Sequence, residues 1–173
     1  MRERPAWATG VSAGLYAAGC RDAVYVPDNP LSHLLAEIGE RYRDVRLALA
    51  TREEEAVGIA AGLYLGGRRP AVLLQSSGLG NALNAVTSLV VPYQIPMLIV
   101  VSMRGDVGEW NAAQVPMGRA VRPILDAIGI AHATIESPAD AERIVALTAA
   151  TAFGTRMPAA CLVPRRITSA PAP

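Results

Sequence analysis

Lysine is absent from this sequence, whose sixteen basic residues are all arginine. That excludes Schiff-base catalysis, a Walker-A phosphate loop and any lysine general base. Histidine and cysteine are nearly as scarce, with two of each. His33 and His132 lie far apart, Cys20 and Cys161 form no CxxC, and there is no HExxH, so no zinc-type ligand spacing exists. The two cysteines read as buried packing thiols in a reducing compartment. No GxSxG occurs, which excludes a hydrolase nucleophile elbow. With a net charge of +1 and no basic cluster longer than Arg68-Arg69 or Arg165-Arg166, binding driven by phosphate neutralisation is excluded too. The longest apolar stretch, residues 85–101, is broken by Pro92, Gln94 and Pro96 and does not read as a membrane span. The opening residues lead into no apolar signal region, so a cytoplasmic protein is expected.

What remains is the composition of one globular domain: 173 residues, 51% hydrophobic and 18% charged. Short β-rich runs alternate with helical periods. Strands are predicted over 23–26, 45–50, 70–75, 96–102, 131–135 and 158–163. Helices are predicted over 31–42, 51–65, 79–91, 118–129 and 138–153, with a glycine loop at 76–81 and a polar loop at 103–116. This alternation predicts an α/β fold, a three-layer α/β/α sandwich around a mostly parallel sheet of about six strands. The core is expected at about residues 10–165, and the Pro-rich tail 168–173 is expected to be flexible. In such sheets ligands bind at the carboxyl ends of strands. Four loops fall there: 27–32, 51–55, 75–81 and 103–114.

Each of these loops has a bland reading and a functional one. In Thr51-Arg52-Glu53-Glu54-Glu55, Thr51 and Glu54 have capping-box spacing, with Glu55 on the solvated side. All three acids would complement the helix dipole. The box leaves Glu53 without a local task, at a strand tip where a ligand would sit. Further on, Gly58, Ala61 and Gly62 form a smooth face on which another subunit could pack. Gln75-Ser76-Ser77-Gly78-Leu79-Gly80-Asn81 is either a tight strand-to-helix turn or an anion cradle. The 103–116 loop is long enough to be functional, and its Arg104 suits a carboxylate, sulfonate or phosphonate. His33 reads as an ordinary helical residue or as one facing a ligand.

Taken together, Glu53-x4-Gly58-Ile59-Ala60-Ala61-Gly62, the Gln75–Asn81 segment, Met103-Arg104-Gly105 through Gln114-Val115-Pro116-Met117-Gly118, and Val26-Pro27-Asp28-Asn29-Pro30 resemble the pyrimidine-binding domain of thiamine-diphosphate enzymes. The resemblance is to the sulfopyruvate decarboxylase α subunit and the N-terminal half of phosphonopyruvate decarboxylase. It implies that Glu53 is the catalytic glutamate, hydrogen-bonding and so activating the cofactor's aminopyrimidine. Gln75, Ser76, Gly78, Gly80 and Asn81 are then cofactor-binding positions, and Asn29, Ser32, His33, Arg104 and Gln114 are candidates for substrate contact.

The family's Gly-Asp-Gly motif with a downstream Asn, which holds Mg2+ and the diphosphate, has no counterpart here. The resemblance therefore implies a β subunit that carries the diphosphate and Mg2+ half of the site, in an α2β2 or larger heteromer. The paired histidines that some relatives place after the central strand are replaced by Ser102-Met103-Arg104. The activity implied is decarboxylation of a 2-oxo acid. The alternatives are a thiamine-diphosphate carboligase and, from the glycine loop alone, a non-catalytic nucleotide-binding or regulatory module.

Overall fold

A computed structural model describes residues 4–169. Helices α1 (Ala6–Ala17), α2 (Leu31–Arg41), α3 (Glu53–Leu65), α4 (Ser76–Ala85), α5 (Val115–Ala127), α6 (Ala141–Thr155) and the short α7 (Arg165–Thr168) alternate with strands β1 (Asp22–Tyr25), β2 (Arg46–Leu49), β3 (Pro70–Gln75), β4 (Leu98–Ser102), β5 (Ala131–Thr134) and β6 (Ala159–Val163). The strands form one sheet in the order β2-β1-β3-β4-β6-β5, and every pairing is parallel. Parallel neighbours need crossover helices, and those helices bury both faces of the sheet. That is the expected six-stranded α/β/α sandwich.

The strand period of two divides the core. Val72, Leu74, Ile99, Val101 and Leu162 face one side with residues of α3, α4 and α5. Ala71, Leu73, Leu98, Val100 and Cys161 face the other with residues of α1, α2 and α6. Both thiols are buried, and desolvation holds Cys20 and Cys161 at about 12 each, so they are inert packing groups. No described helix is long and apolar enough to cross a membrane.

The structure corrects the sequence reading at several points. Helix α1 was not expected, because Gly10 and Gly14 lower its helix propensity and most of the rest is small or apolar without a clear stripe. Packing decides it: Trp7, Ala8 and Val11 are buried, so the core begins before residue 10. The two glycines let α1 lie directly on α6, where a Cβ on Gly14 would stand 2.6 Å from the Glu142 carbonyl oxygen. The expected glycine loop at 76–81 is the opening of α4 instead. That helix runs through a single π-turn, Val86–Val90. Helix α5 starts at Val115, three residues earlier than its pattern suggested, because Pro116 suits the first turn of a helix. At the chain's end, Thr168 closes a helical turn and Ser169 is described, while 170–173 lie outside the described residues.

The contact between α1 and α6 yields a first prediction. Gly14→Ala should destabilise the fold by about 1–3 kcal/mol, the usual cost of overpacking. Urea denaturation should show a lower midpoint with an unchanged slope; an unchanged midpoint would contradict this packing.

Candidate active site

The four loops picked out in the sequence converge at the carboxyl edge of the sheet, where β1, β2, β3 and β4 end. The chain after β6 joins them there. Side chains from these loops form two neighbouring groups.

The first group surrounds Glu53. Helix α3 opens at Glu53 with Arg52 extended at the cap position and no side-chain cap (φ −142°, ψ 157°). The expected box between Thr51 and Glu54 does not form. Thr51 donates instead from its amide and its hydroxyl to the Glu55 carboxylate, at 2.7 and 2.6 Å. The Thr51 hydroxyl bond is the main cause that holds the Glu55 carboxyl below its ordinary value. The extra residue of reach places the reciprocal bond at the fifth position rather than the fourth, and Glu54 turns toward Asn81.

Glu53 is half-buried. Its Oε2 accepts from Asn81 Nδ2 at 2.9 Å, and the same amide donates to Glu54 Oε2 at 3.1 Å. Its Oε1 rests on the backbone of α4: a Cβ at Gly78 would lie 2.6 Å from that oxygen. Gly78 is thus required by close approach and not by turn geometry. Gly80 has a similar role against Met117, whose sulfur would be 2.7 Å from an added Cβ. The glycines are accounted for by these contacts, so the nucleotide-module reading loses the loop on which it rested. Ser76 is fully buried and its Oγ accepts the Arg104 amide at 3.2 Å, tying the end of β4 to the end of β3. At the tip of β3 the Gln75 amide oxygen is buried without a hydrogen-bond partner. A buried orphaned acceptor is a costly arrangement for a chain to keep unless a donor-bearing ligand completes it. An aminopyrimidine has an amino group that could donate to such an acceptor and a ring nitrogen that could share a proton with a carboxylate. Gln114 Oε1 is buried and unpartnered as well, at the start of α5.

The second group lines a cavity of about 360 Å³ whose walls include Asn29, Ser32, His33, Arg104, Trp110 and Arg165. Four of the five expected substrate contacts meet here; Gln114 is not among its lining residues, and neither is Glu53. Arg104, read in the sequence as suited to a carboxylate, sulfonate or phosphonate, already has carboxylate partners within the chain. Its Nε donates to Glu109 Oε2 at 3.0 Å and its Nη1 lies 3.9 Å from Asp28 Oδ1. Asp28 Oδ2 in turn accepts from Ser102 Oγ at 2.6 Å.

The residues that sequence reasoning missed are Glu109 and Arg165. The Glu109 side chain is 1% exposed, and it accepts from the amides of Gly105 at 3.3 Å and Asn111 at 3.0 Å besides Arg104. Arg165 Nη1 stands 3.5 Å from the same carboxylate, and its Nε donates to the Gly108 carbonyl at 3.1 Å. Gly105 and Gly108 take positive φ, 75° and 91°, and so curl the loop around the acid. Only those two glycines could have signalled the curl of this loop locally; the link to Arg165 spans 57 positions of the chain. Desolvation alone would raise the Glu109 carboxyl, but the Arg104 bond and the two amide bonds outweigh it and hold it at about 2. Among the described residues, no three His, Cys, Asp or Glu side chains gather as a metal-binding group.

The family model described as "Thiamine pyrophosphate enzyme, N-terminal TPP binding domain" matches residues 7–115. The sulfopyruvate decarboxylase subunit alpha of Methanocaldococcus jannaschii is 40% identical over 137 residues, covering 79% of this chain and 80% of the relative. That of Methanothermobacter thermautotrophicus is 40% identical over 135 residues, covering 78% and 81%. The phosphonopyruvate decarboxylase of Streptomyces viridochromogenes is 32% identical over 124 residues, covering 69% of this chain and 30% of that one. Among solved structures, the 2-oxoglutarate:ferredoxin oxidoreductase of Magnetococcus marinus superposes with a TM-score of 0.73 at 14% identity, over 96% of this chain and 29% of that one. At that identity the likeness is one of fold.

The buried acid makes the 103–111 loop sensitive to pH. A carboxyl whose value is depressed by folding stabilises the folded state above its ordinary value, here 4.5, and loses that contribution as pH falls toward about 2. Hydrogen-exchange protection at the Gly105 and Asn111 amides should therefore fall across that window before the amides of β4 lose theirs. Simultaneous loss would show that Glu109 does not anchor the loop.

Proposed function

The chain belongs to the thiamine pyrophosphate enzyme family marked by the N-terminal TPP binding domain, and we propose that it is the α subunit of a two-chain 2-oxo acid decarboxylase of the sulfopyruvate and phosphonopyruvate kind. The observation that carries this reading is the placement of Glu53: a carboxylate at the opening of α3, held by Asn81 and pressed against Gly78.

In this reading Glu53, Gln75 and Asn81 hold the aminopyrimidine of thiamine diphosphate, with Gly78 leaving the room. Thiamine diphosphate, when bound, supplies the electron sink that a 2-oxo acid needs in order to lose CO2. The chain's own part is to place an acceptor for one proton. Asn81 fixes the Glu53 carboxylate through Oε2 and leaves its remaining lone pairs to share a proton with a ring nitrogen. Glu53 is only half-buried in this chain. A second protein surface must exclude water for such a proton to be held effectively. That surface belongs to a β subunit, which also holds Mg2+ and the diphosphate, in an α2β2 or larger assembly. Gly58 and Gly62, exposed on α3 with nothing within 4 Å of an added Cβ, offer a smooth face for packing. Ala61 does not share that face, since it is buried in the core. A cytoplasmic location fits this chemistry. The cavity beside Arg104 and Arg165 takes the part of the substrate that carries a second anionic group.

Three outcomes are expected. Glu53→Gln should cut kcat of the assembled enzyme by about 100-fold or more, the usual scale for a group that moves a proton, while thermal melting stays unchanged. Gly78→Ala should also cut turnover, because the new methyl displaces the Glu53 carboxylate. Titration calorimetry of the α–β mixture with thiamine diphosphate and Mg2+ should show binding that this chain alone lacks. Undiminished turnover in Glu53→Gln would refute the reading.

A further inference from the structure

The cavity lined by Arg104 and Arg165 looks cationic in sequence, yet its charge is balanced by the chain itself. Behind the two guanidinium groups lie two carboxylates that solvent barely reaches. Glu109 is 1% exposed and Asp28 6%, while the two arginine side chains are each 15% exposed. Glu109 touches both arginines, and Asp28 faces Arg104. These two positive and two negative charges sum to zero, and among the described residues His33 is the one titratable group besides the two arginines that lines the cavity. The arginines line the cavity and keep unused donors, because each guanidinium carries five N–H groups and the contacts above engage only some of them. Anchoring by Glu109 also removes rotamer freedom that a ligand would otherwise have to freeze.

We propose that Glu109 is a specificity-determining residue: it positions Arg104 and Arg165 as hydrogen-bond donors and cancels their charge, so that the cavity accepts a singly charged sulfonate in preference to a doubly charged phosphonate. The proposal rests on the reading above for the identity of the cavity as the substrate's second-anion site. Its physical content concerns only this chain's own residues. A sulfonate offers three acceptor oxygens and one negative charge, which suits a wall rich in donors and neutral overall. A phosphonate dianion brings a second charge that the two buried carboxylates repel. Removing either carboxylate leaves one uncompensated arginine charge and favours the dianion.

The test uses the full chain and small probes. Sulfoacetate and phosphonoacetate share a carboxylate and differ in the terminal group. Trp110 lines the cavity and is 81% exposed, whereas Trp7 is 2% exposed, so quenching on titration reports the cavity. At about pH 8, where the phosphonate carries its second charge, sulfoacetate should bind more tightly. Glu109→Gln should shift the ratio of the two affinities toward phosphonoacetate by roughly tenfold, the scale of one unit charge at short range in a partly screened site. Asp28→Asn should shift it the same way. A loop merely loosened by substitution would weaken both probes alike and leave the ratio unchanged, which would overturn the proposal. So would equal affinity of the unmodified chain for the two probes, or the absence of saturable quenching by either. Loss of the cofactor reading would appear instead in the Glu53→Gln turnover, which this titration does not touch.

Discussion

The site depends on one close approach: the carboxylate of Glu53 lying against the bare backbone of Gly78. Helix α3 follows β2 and packs over β1 and β3, whereas helix α4 follows β3 and packs over β3 and β4. The two helices therefore meet above β3 and bring Glu53 to Gly78 and Asn81. A side chain at position 78 would occupy the carboxylate's place. The acid, the glycine and the asparagine therefore form one constraint, and the spacing of the first two elements of the sequence signature is its linear trace.

Next to it stands a second constraint, on charge. The loop after β4 turns back on itself and carries an acid into contact with Arg104, just past β4, and Arg165, at the start of α7. A buried carboxylate survives there because four donors surround it: two guanidinium groups and two loop amides. The same bonds order a loop that has almost no apolar anchor of its own, and they leave Val107 and Trp110 at its exposed surface. Order in the loop and neutrality in the cavity thus come from the same side chain.

Much of this was legible in the sequence because it is local. Period-two apolar runs and helical periods specify strands and crossover helices, and the parallel sheet follows from their alternation. Glu53 stood out because the capping pattern around Thr51 had no use for it. What stayed hidden is non-local. Helix α1 is stabilised by its packing on α6, across most of the chain. Residues 76–81 looked like a loop because glycine usually breaks helices. Here Gly78 and Gly80 are helical, and the contacts that require them lie on α3 and α5. Arg104 was legible as a partner for an anion, but Glu109 gave no sign of turning back to it, and Arg165 was visible only as one member of a basic pair.

The most direct measurement is the structure of the assembled α–β complex with thiamine diphosphate bound. The account predicts Glu53 of this chain within hydrogen-bond distance of the cofactor's pyrimidine ring, with the diphosphate and its metal held by the other polypeptide. A Glu53 side chain facing bulk solvent in that complex, or a diphosphate bound by this chain, would contradict it.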